Sequence, residues 1–232
     1  MTRATPERMA EGLCLFDLDG TLLPIDSDHA FGEFLIGQGW ADGAAYRRRN
    51  DAFFADYQAG RLDVAAYVDF ATAAWRVRPP AEAEALRRRY MHEVITPALH
   101  PAALALVQRH QAEGDLVAIV TATNEFVTAP IAAAFGVPHL IAVQLERGAD
   151  SRYSGRIQGV PSFREGKVQR VHEWLGTLGR RLADFDRVSV YSDSPNDLPL
   201  LELATQAVAT NPSAALESVA RERGWPILRL FP

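Results

Sequence analysis

The chain has 232 residues, 48% of them hydrophobic, which suits one sizeable core, or one core with a smaller appended unit, better than two full domains. Its 24 basic and 29 acidic residues leave a net charge of -5, the wrong sign for gathering a nucleic-acid backbone by bulk attraction, though a local basic pocket stays open. A single cysteine, Cys14, excludes an intrachain disulfide framework and reads as a small core residue.

The opening MTRATPERMAEG is charged, with no apolar stretch long enough for a signal peptide or a membrane span, so a cytoplasmic setting away from membranes is expected. From there, short runs rich in Val, Ile, Leu and Ala alternate with longer segments of helical period, the pattern of a parallel sheet wrapped by helices. Strands are expected over 13–17, 116–121, 140–143, 187–192, 207–209 and, weakly, 227–230. Helices are expected over 101–113, 124–135, 163–178, 197–204 and 213–223. The series predicts an α/β fold with a doubly wound, Rossmann-like parallel sheet.

The interval 25–95 breaks the alternation. AFGEFLIGQGW, AAYRRRNDAFFADYQAG, DVAAYVDFATAAW and EAEALRRRYMHEV all read as helices carrying aromatic residues. About seventy residues of helix cannot be a simple crossover, because ordinary connections are short. An all-helical cap, inserted after the first strand and lying over the end of the sheet, is therefore expected at 25–95, with the core formed by 1–24 and 96–232. Farther on, QLERGADSRYSGRIQG at 144–159 holds two short alternating runs around GAD and predicts a small hairpin.

In an open α/β sheet the chemistry gathers beyond the carboxyl ends of the strands. LCLFDLDGTLLP places Asp17 at such an end with Asp19 just after it; AIVTATN places Thr121 at a second and VSVYSDSPND places Asp193 at a third, with Asp197 at the start of the next helix. Crowded carboxylates are stable at neutral pH only if they titrate upward or share a cation. Oxygen donors without a nearby His or Cys set favour magnesium. Asp17 and Asp193 are the expected side-chain ligands, the Asp19 carbonyl is a third, and Asp197 is expected to orient a metal-bound water.

Lysine usage is an independent clue. Against 23 arginines there is one lysine, Lys167, in FREGKVQRV. A lone Lys in such a chain marks a place where a compact ammonium charge is wanted and a planar fork does not fit, and a cation is what a cluster of carboxylates and phosphate requires.

DLDGTLLP, a helical insertion, TATN, GKVQR and SDSPND, in that order over nearly the whole chain, resemble the haloacid dehalogenase superfamily of phosphatases, in the branch that includes phosphoserine phosphatase. DxD alone is a weak signal; four motifs at compatible spacing are highly specific. The resemblance implies hydrolysis of a small phosphate monoester. Asp17 would attack phosphorus to form an aspartyl-phosphate, and Asp19 would protonate the leaving alcohol and then take a proton from water. Thr121, with backbone N–H groups around Ala122 and Gly20, would hold phosphoryl oxygens, while Lys167 and magnesium neutralise the transition state. Asp19 argues against dehalogenase relatives, whose halide needs no proton. The lack of lysine within 25–95 excludes the imine chemistry of phosphonatase relatives.

In phosphoserine phosphatases the ninth residue after the nucleophile is an acid that holds the substrate amine, a position that resembles Asp26. Those relatives also carry a cap arginine for the substrate carboxylate, in a helix following a Gly-x-Leu like GRL at 60–62; here DVAAYVDFATAAW has no arginine until Arg76. An amino phosphate without a carboxylate, such as histidinol phosphate, fits better than phosphoserine. His29 is either a pocket donor or an exposed cap residue, and Asp28 reads as the cap of the helix starting near His29 in preference to a substrate contact. The arginine runs at 47–49 and 87–89 read as solvated helix faces. Trp40, Phe53, Phe54, Tyr57, Tyr67, Phe70 and Trp75 read as cap core, with one or two on the pocket. Asn196 is expected to steady the acidic loop, Asn124 to cap its helix and Asn211 to lie in a turn. Phosphoryl transfer to an alcohol acceptor and a receiver-like phosphoacceptor domain stay open as alternatives; the helical insertion and the Asp193–Asp197 pair speak against a receiver. The oligomeric state is open.

Overall fold

The computed structural model describes residues 12–150 and 152–231. The leader-free reading of MTRATPERMAEG, the core assignment of residues 1–11 and one residue of the hairpin loop, Ser151, lie outside the described residues.

The first strand, β1 (Gly12–Phe16), is followed by helices α1 (Ser27–Gly37), α2 (Gly43–Gln58), α3 (Val64–Arg76) and α4 (Pro80–Tyr90), a wider π turn over Met91–Ile95 and a short α5 (Thr96–Ala98). The alternating part comes next: α6 (Pro101–Ala112), β2 (Leu116–Asn124), α7 (Glu125–Ala134) and β3 (His139–Val143). A two-stranded antiparallel hairpin, β4 (Leu145–Arg147) and β5 (Tyr153–Ile157), interrupts it. The chain closes with α8 (Glu165–Thr177), β6 (Arg187–Ser192), a 3-10 turn at Pro195–Asp197 leading into α9 (Leu198–Leu201), β7 (Gln206–Thr210), α10 (Ala214–Arg223) and β8 (Ile227–Leu228).

Six strands form one parallel sheet in the order β3-β2-β1-β6-β7-β8. β1 sits at the switch point, paired with β2 on one side and β6 on the other. That position explains why GLCLF has no polar alternation: Leu13 and Leu15 enter the core on one face of the sheet, Cys14 and Phe16 the core on the other. Full burial of each Leu or Phe side chain stabilises by about 1.5–3 kcal/mol.

The helices between β1 and β2 share the second of these cores. Phe31, Leu35, Val68, Trp75, Leu86 and Tyr90 belong to the same cluster as Phe16 and Ile119. Trp75 stacks on Phe126 of α7 with ring centroids 3.9 Å apart, and Tyr90 Oη donates to the Ser27 carbonyl at 2.7 Å. Arg87 also docks here, donating to the Phe126 carbonyl at 3.0 Å with its guanidinium over the ring. The reading of 87–89 as a solvated face therefore holds for Arg88 and Arg89, which are exposed, and not for half-buried Arg87. Arg47, Arg48 and Arg49 are all exposed.

Element bounds depart from expectation where side chains intervene. β2 continues past Thr121 to Asn124, whose side-chain oxygen accepts from the Val127 amide at 3.3 Å and caps α7. α8 starts only at Glu165 because Arg164 has φ 51°, outside helical geometry. At the start of α1 the cap is Asp26, which accepts from the amides of Asp28 (3.1 Å) and His29 (2.8 Å). Asp28, read as that cap, lies inside the first turn and points elsewhere.

Candidate active site

The sheet register brings the polar strand ends together. Phe16 pairs with Tyr191 of β6 and Ile119 of β2, so Asp17 and Ser192, one residue on, and Thr121, two residues past Ile119, emerge at one edge. Asp17 is 3% exposed and extends the ladder through its amide to the Tyr191 carbonyl at 2.9 Å. The chain then turns tightly around the Leu18 carbonyl, which accepts from the amides of Thr21, Leu22 and Leu23. Gly20 is needed in this turn: its φ is +75°, and a Cβ would meet Asp193 Oδ2 at 2.4 Å.

Thr21, which follows Gly20 in the DLDGT run, links two carboxylates. Its hydroxyl lies 3.1 Å from Asp17 Oδ2 and 3.3 Å from Asp193 Oδ1, and it accepts from the Asp193 amide at 3.0 Å. Lys167 faces them from the first turn of α8, with Nζ 2.8 Å from Asp17 Oδ1 and 2.8 Å from Asp197. This lysine is 1% exposed. Burial alone would lower its pKa, but the charges of Asp17 and Asp197 outweigh that and hold it above the ordinary lysine range. Asp197, 1% exposed, also accepts from Ser192 Oγ at 2.8 Å; burial pushes its pKa up to about 6 against the pull of Lys167. Its carboxylate is thus turned to the ammonium group.

Asp19 is held from both sides. The Ser27 amide donates to Oδ1 at 2.8 Å and Thr123 Oγ1 to Oδ2 at 2.9 Å. Desolvation, followed by the Asp26 charge, raises its pKa well above the usual carboxylate value. Thr121 and Ala122 line the same cavity, with Thr121 Oγ1 accepting from the Thr123 amide at 3.1 Å.

The cavity lies between this edge and the helical insertion. From the insertion come Asp26, Asp28 and His29 of the α1 region, Asn50, Phe53, Phe54 and Tyr57 of α2, and Leu62 and Tyr67 around α3. Four of the aromatic residues read mainly as core therefore line the cavity. Phe70 and Trp75 are buried away from it, and Trp40 packs against the core. His29 resolves into a wall residue with its Nε2 2.8 Å from Asp51 Oδ1. Among the lining residues there is no arginine and no lysine. Arg76 is bound instead to Asp69 and Thr72 on its own helix and lies against Gly155 of the hairpin.

The donor set suits a hard divalent cation. Asp193 is pushed well above the ordinary carboxylate range by burial and then by the charges of Asp17 and Asp197, and the single ammonium group already serves Asp17 and Asp197. All the groups at hand are oxygens. A different cluster, His110, Glu113 and Asp115, sits at the opposite end of the strands. There Asp115 accepts from Arg187 at 2.8 Å and lies 2.7 Å from His110 Nδ1, so its charge is already balanced within the protein.

Several side chains make contacts at the site beyond those expected from the sequence. Thr123 was signalled by the strand period, because residues 121 and 123 of TATN share one face. Asn211, expected in a turn, has φ 45° and donates to the carbonyls of Gly20 (3.0 Å) and Thr21 (3.1 Å). Asn196, expected to steady the acidic loop, bonds within that loop only through its backbone amide, to Ser194 Oγ at 3.2 Å; its side chain reaches the insertion instead, donating to the Tyr57 carbonyl at 2.8 Å. No local pattern announces these long-range contacts.

A parallel sheet whose central strand ends on an acid, facing a helical insertion across a polar cavity, is the architecture of a hydrolase family. The haloacid dehalogenase-like hydrolase family matches residues 14–202, and the chain belongs to it. It is a phosphatase, acting on phosphoric monoesters, which removes the receiver alternative. The chain is 43% identical over 218 residues to a protein of Neisseria meningitidis serogroup C named histidinol-phosphatase, covering 94% of this chain and 98% of that one. It is 34% identical over 218 residues to the Mycobacterium tuberculosis protein named phosphoserine phosphatase SerB1, covering 91% and 68%. Among solved structures, a Bordetella pertussis Tohama I protein of unknown function superposes with a TM-score of 0.90 at 49% identity, covering 96% and 100%. A substrate-bound phosphoserine phosphatase superposes with a TM-score of 0.66 at 16% identity, covering 94% and 92%, a likeness of fold. No helix among the described residues is long and apolar enough to cross a membrane.

Proposed function

We propose that this phosphatase is magnesium-dependent and hydrolyses an amino-alcohol phosphate, with histidinol phosphate preferred to phosphoserine. The supporting observation is the composition of the cavity wall: Asp26 and Asp28 with four aromatic rings, and no arginine or lysine to receive a substrate carboxylate. A cationic, ring-bearing substrate is attracted there, and a carboxylate-bearing one is repelled. The 43% identity to the Neisseria protein named histidinol-phosphatase points the same way.

In this function residues 25–95 act as the cap over a core of 1–24 and 96–232. Asp17 attacks phosphorus as the ester P–O bond breaks, and Asp19 gives its proton to the leaving alkoxide. Water then attacks the aspartyl-phosphate, Asp19 takes the water's proton, the P–O bond to Asp17 breaks, and phosphate leaves with the Asp17 carboxylate restored. The raised pKa of Asp19 suits it to the acid step. Thr121 and the amides around Gly20 and Ala122 receive phosphoryl oxygens, and Lys167 balances their charge. Asp26 faces the substrate amine, with His29 at the entrance beside it. Asp17, Asp193 and the Asp19 carbonyl would hold magnesium, with Asp197 orienting Lys167 and a bound water. When bound, the ion neutralises the carboxylates and the transferring phosphoryl group.

Phosphate release from histidinol phosphate and from phosphoserine, each with magnesium and with EDTA, tests this. Higher kcat/KM for histidinol phosphate, lost with EDTA, is expected; equal or better turnover of phosphoserine would reject the substrate assignment.

A further inference from the structure

Asp28 is a buried acid without a task in the chemistry above. It is 5% exposed and lines the substrate cavity. Asn124 Nδ2 lies 3.2 Å from each of its oxygens. The amide cannot turn over, because Asn124 Oδ1 is occupied in capping α7 through the Val127 amide. The Tyr67 hydroxyl of α3 is the further neutral polar group beside the carboxylate, on the same cavity wall. Both groups are neutral, so neither cancels the charge of the acid.

The charged groups facing it do not cancel that charge either. On α1, Asp26 adds a second negative charge, and the His29 ring is turned toward Asp51 of α2. Lys167 is committed to Asp17 and Asp197 on the far side of the cavity. The two neighbouring acids also differ in what they can receive. Asp26 is spent on the α1 terminus, accepting two backbone amides through Oδ1, whereas Asp28 is held by the Asn124 side chain alone, one bond to each oxygen, which leaves acceptor sites on both oxygens for a group in the cavity that it lines. Phe53, Phe54, Tyr57 and Tyr67 line the same cavity, a set of surfaces on which a flat ring can stack.

We propose that Asp28, held in place by Asn124 and flanked by Tyr67, is the specificity subsite for a heteroaromatic N–H group of the substrate, carried by the part of the molecule farthest from the phosphate. The inference rests on the amino-alcohol phosphate function above and goes beyond it. With phosphorus against Asp17 and the amine toward Asp26, an imidazole ring enters the aromatic compartment and donates its ring N–H to the Asp28 carboxylate. A buried carboxylate that receives such a donor disfavours a ring that lacks one, because the carboxylate then loses water on binding and gains no charge-assisted bond in exchange.

The test compares histidinol phosphate with the phosphate ester of phenylalaninol, in which a phenyl ring replaces imidazole, and with p-nitrophenyl phosphate. The wild type is expected to turn over histidinol phosphate with a kcat/KM about 10- to 100-fold above the phenyl analogue. In Asp28→Asn and Tyr67→Phe the ratio of kcat/KM for histidinol phosphate to that for p-nitrophenyl phosphate is expected to fall, by about tenfold or more in Asp28→Asn. Equal wild-type turnover of imidazole and phenyl esters overturns the subsite while leaving the amino-alcohol function standing. A parallel loss of both rates in Asp28→Asn, with their ratio unchanged, overturns it as well. Preference for phosphoserine by the wild type overturns both the subsite and the function. The wild-type comparison is decisive even if Asp28→Asn does not fold.

Discussion

Thr123 Oγ1 donates to Asp19 Oδ2 at 2.9 Å, so a side chain at the end of β2 fixes the carboxylate that β1 carries just past its own end. Asp19 has a second anchor in the Ser27 amide. Thr123→Val keeps the shape and removes the donor. For an ester with a poor leaving group, kcat is expected to fall about 10- to 100-fold, within the range that general acid catalysis supplies. With p-nitrophenyl phosphate, whose leaving group scarcely needs a proton, the loss should be smaller. Equal losses on the two substrates would show that Thr123 does not act through Asp19.

Asp17→Asn is expected to abolish turnover and leave the fold intact, since Lys167 keeps Asp197 at 2.8 Å and the Asn side chain fills the same space. Circular dichroism and phosphate release check the two halves. Substantial residual activity would refute Asp17 as the nucleophile.

Lys167 is the cation of a buried triad, and its truncation strands two carboxylates. Lys167→Met is expected to lower the stability of the metal-free protein by about 3–5 kcal/mol, read from urea unfolding in EDTA. Lys167→Arg should not restore activity, because a planar fork does not fit a site built around a point charge 2.8 Å from both acids. Full activity in the Arg variant would contradict that geometry.

Burial makes the metal-free protein sensitive to pH in an uncommon direction. Asp28 is pushed up to about 7 and Asp197 to about 6, and Asp19, Asp26 and Asp193 are raised as well, in each case first by burial. Above about pH 4 the unfolded chain has lost these protons, while the native state still binds them. Native protons exceed unfolded ones, so stability falls as pH rises toward 7. The melting temperature in EDTA should therefore be higher near pH 5 than near pH 7.5, and magnesium should narrow the gap. A melting temperature in EDTA that climbs from pH 5 to 7.5 would disprove the raised values.

Asn211 joins the turn after Asp17 to residues near the end of the chain: it donates to the Gly20 and Thr21 carbonyls and accepts from the Leu230 amide at 2.6 Å. Asn211→Gly keeps the left-handed backbone and loses the bonds, at a cost of about 1–3 kcal/mol. Asn211→Ala loses the same bonds and keeps a Cβ at φ 45° that the Gly variant does not carry, so it should lie about 1–2 kcal/mol below that variant. Chemical denaturation of the two variants should rank them in that order.

The order of strands and helices, the helical insertion and the acids at the strand ends were legible in the chain because each rests on local rules. Apolar runs of period two or of unbroken burial make strands, and polar residues at their carboxyl ends mark an edge. Tertiary structure decided the rest. Asp26 rather than Asp28 caps α1, because which of two nearby acids accepts the free amides depends on how the chain enters the helix, and Asn124 draws Asp28 into the cavity from 96 residues away. Thr123, Asn211 and the Asn196 side chain acquire their partners, and Thr21 its bonds to Asp193, only when remote segments meet. Sequence determines which groups can ionise and which can donate; desolvation and distance, which set how strongly they do so, arise only once the core has closed around them.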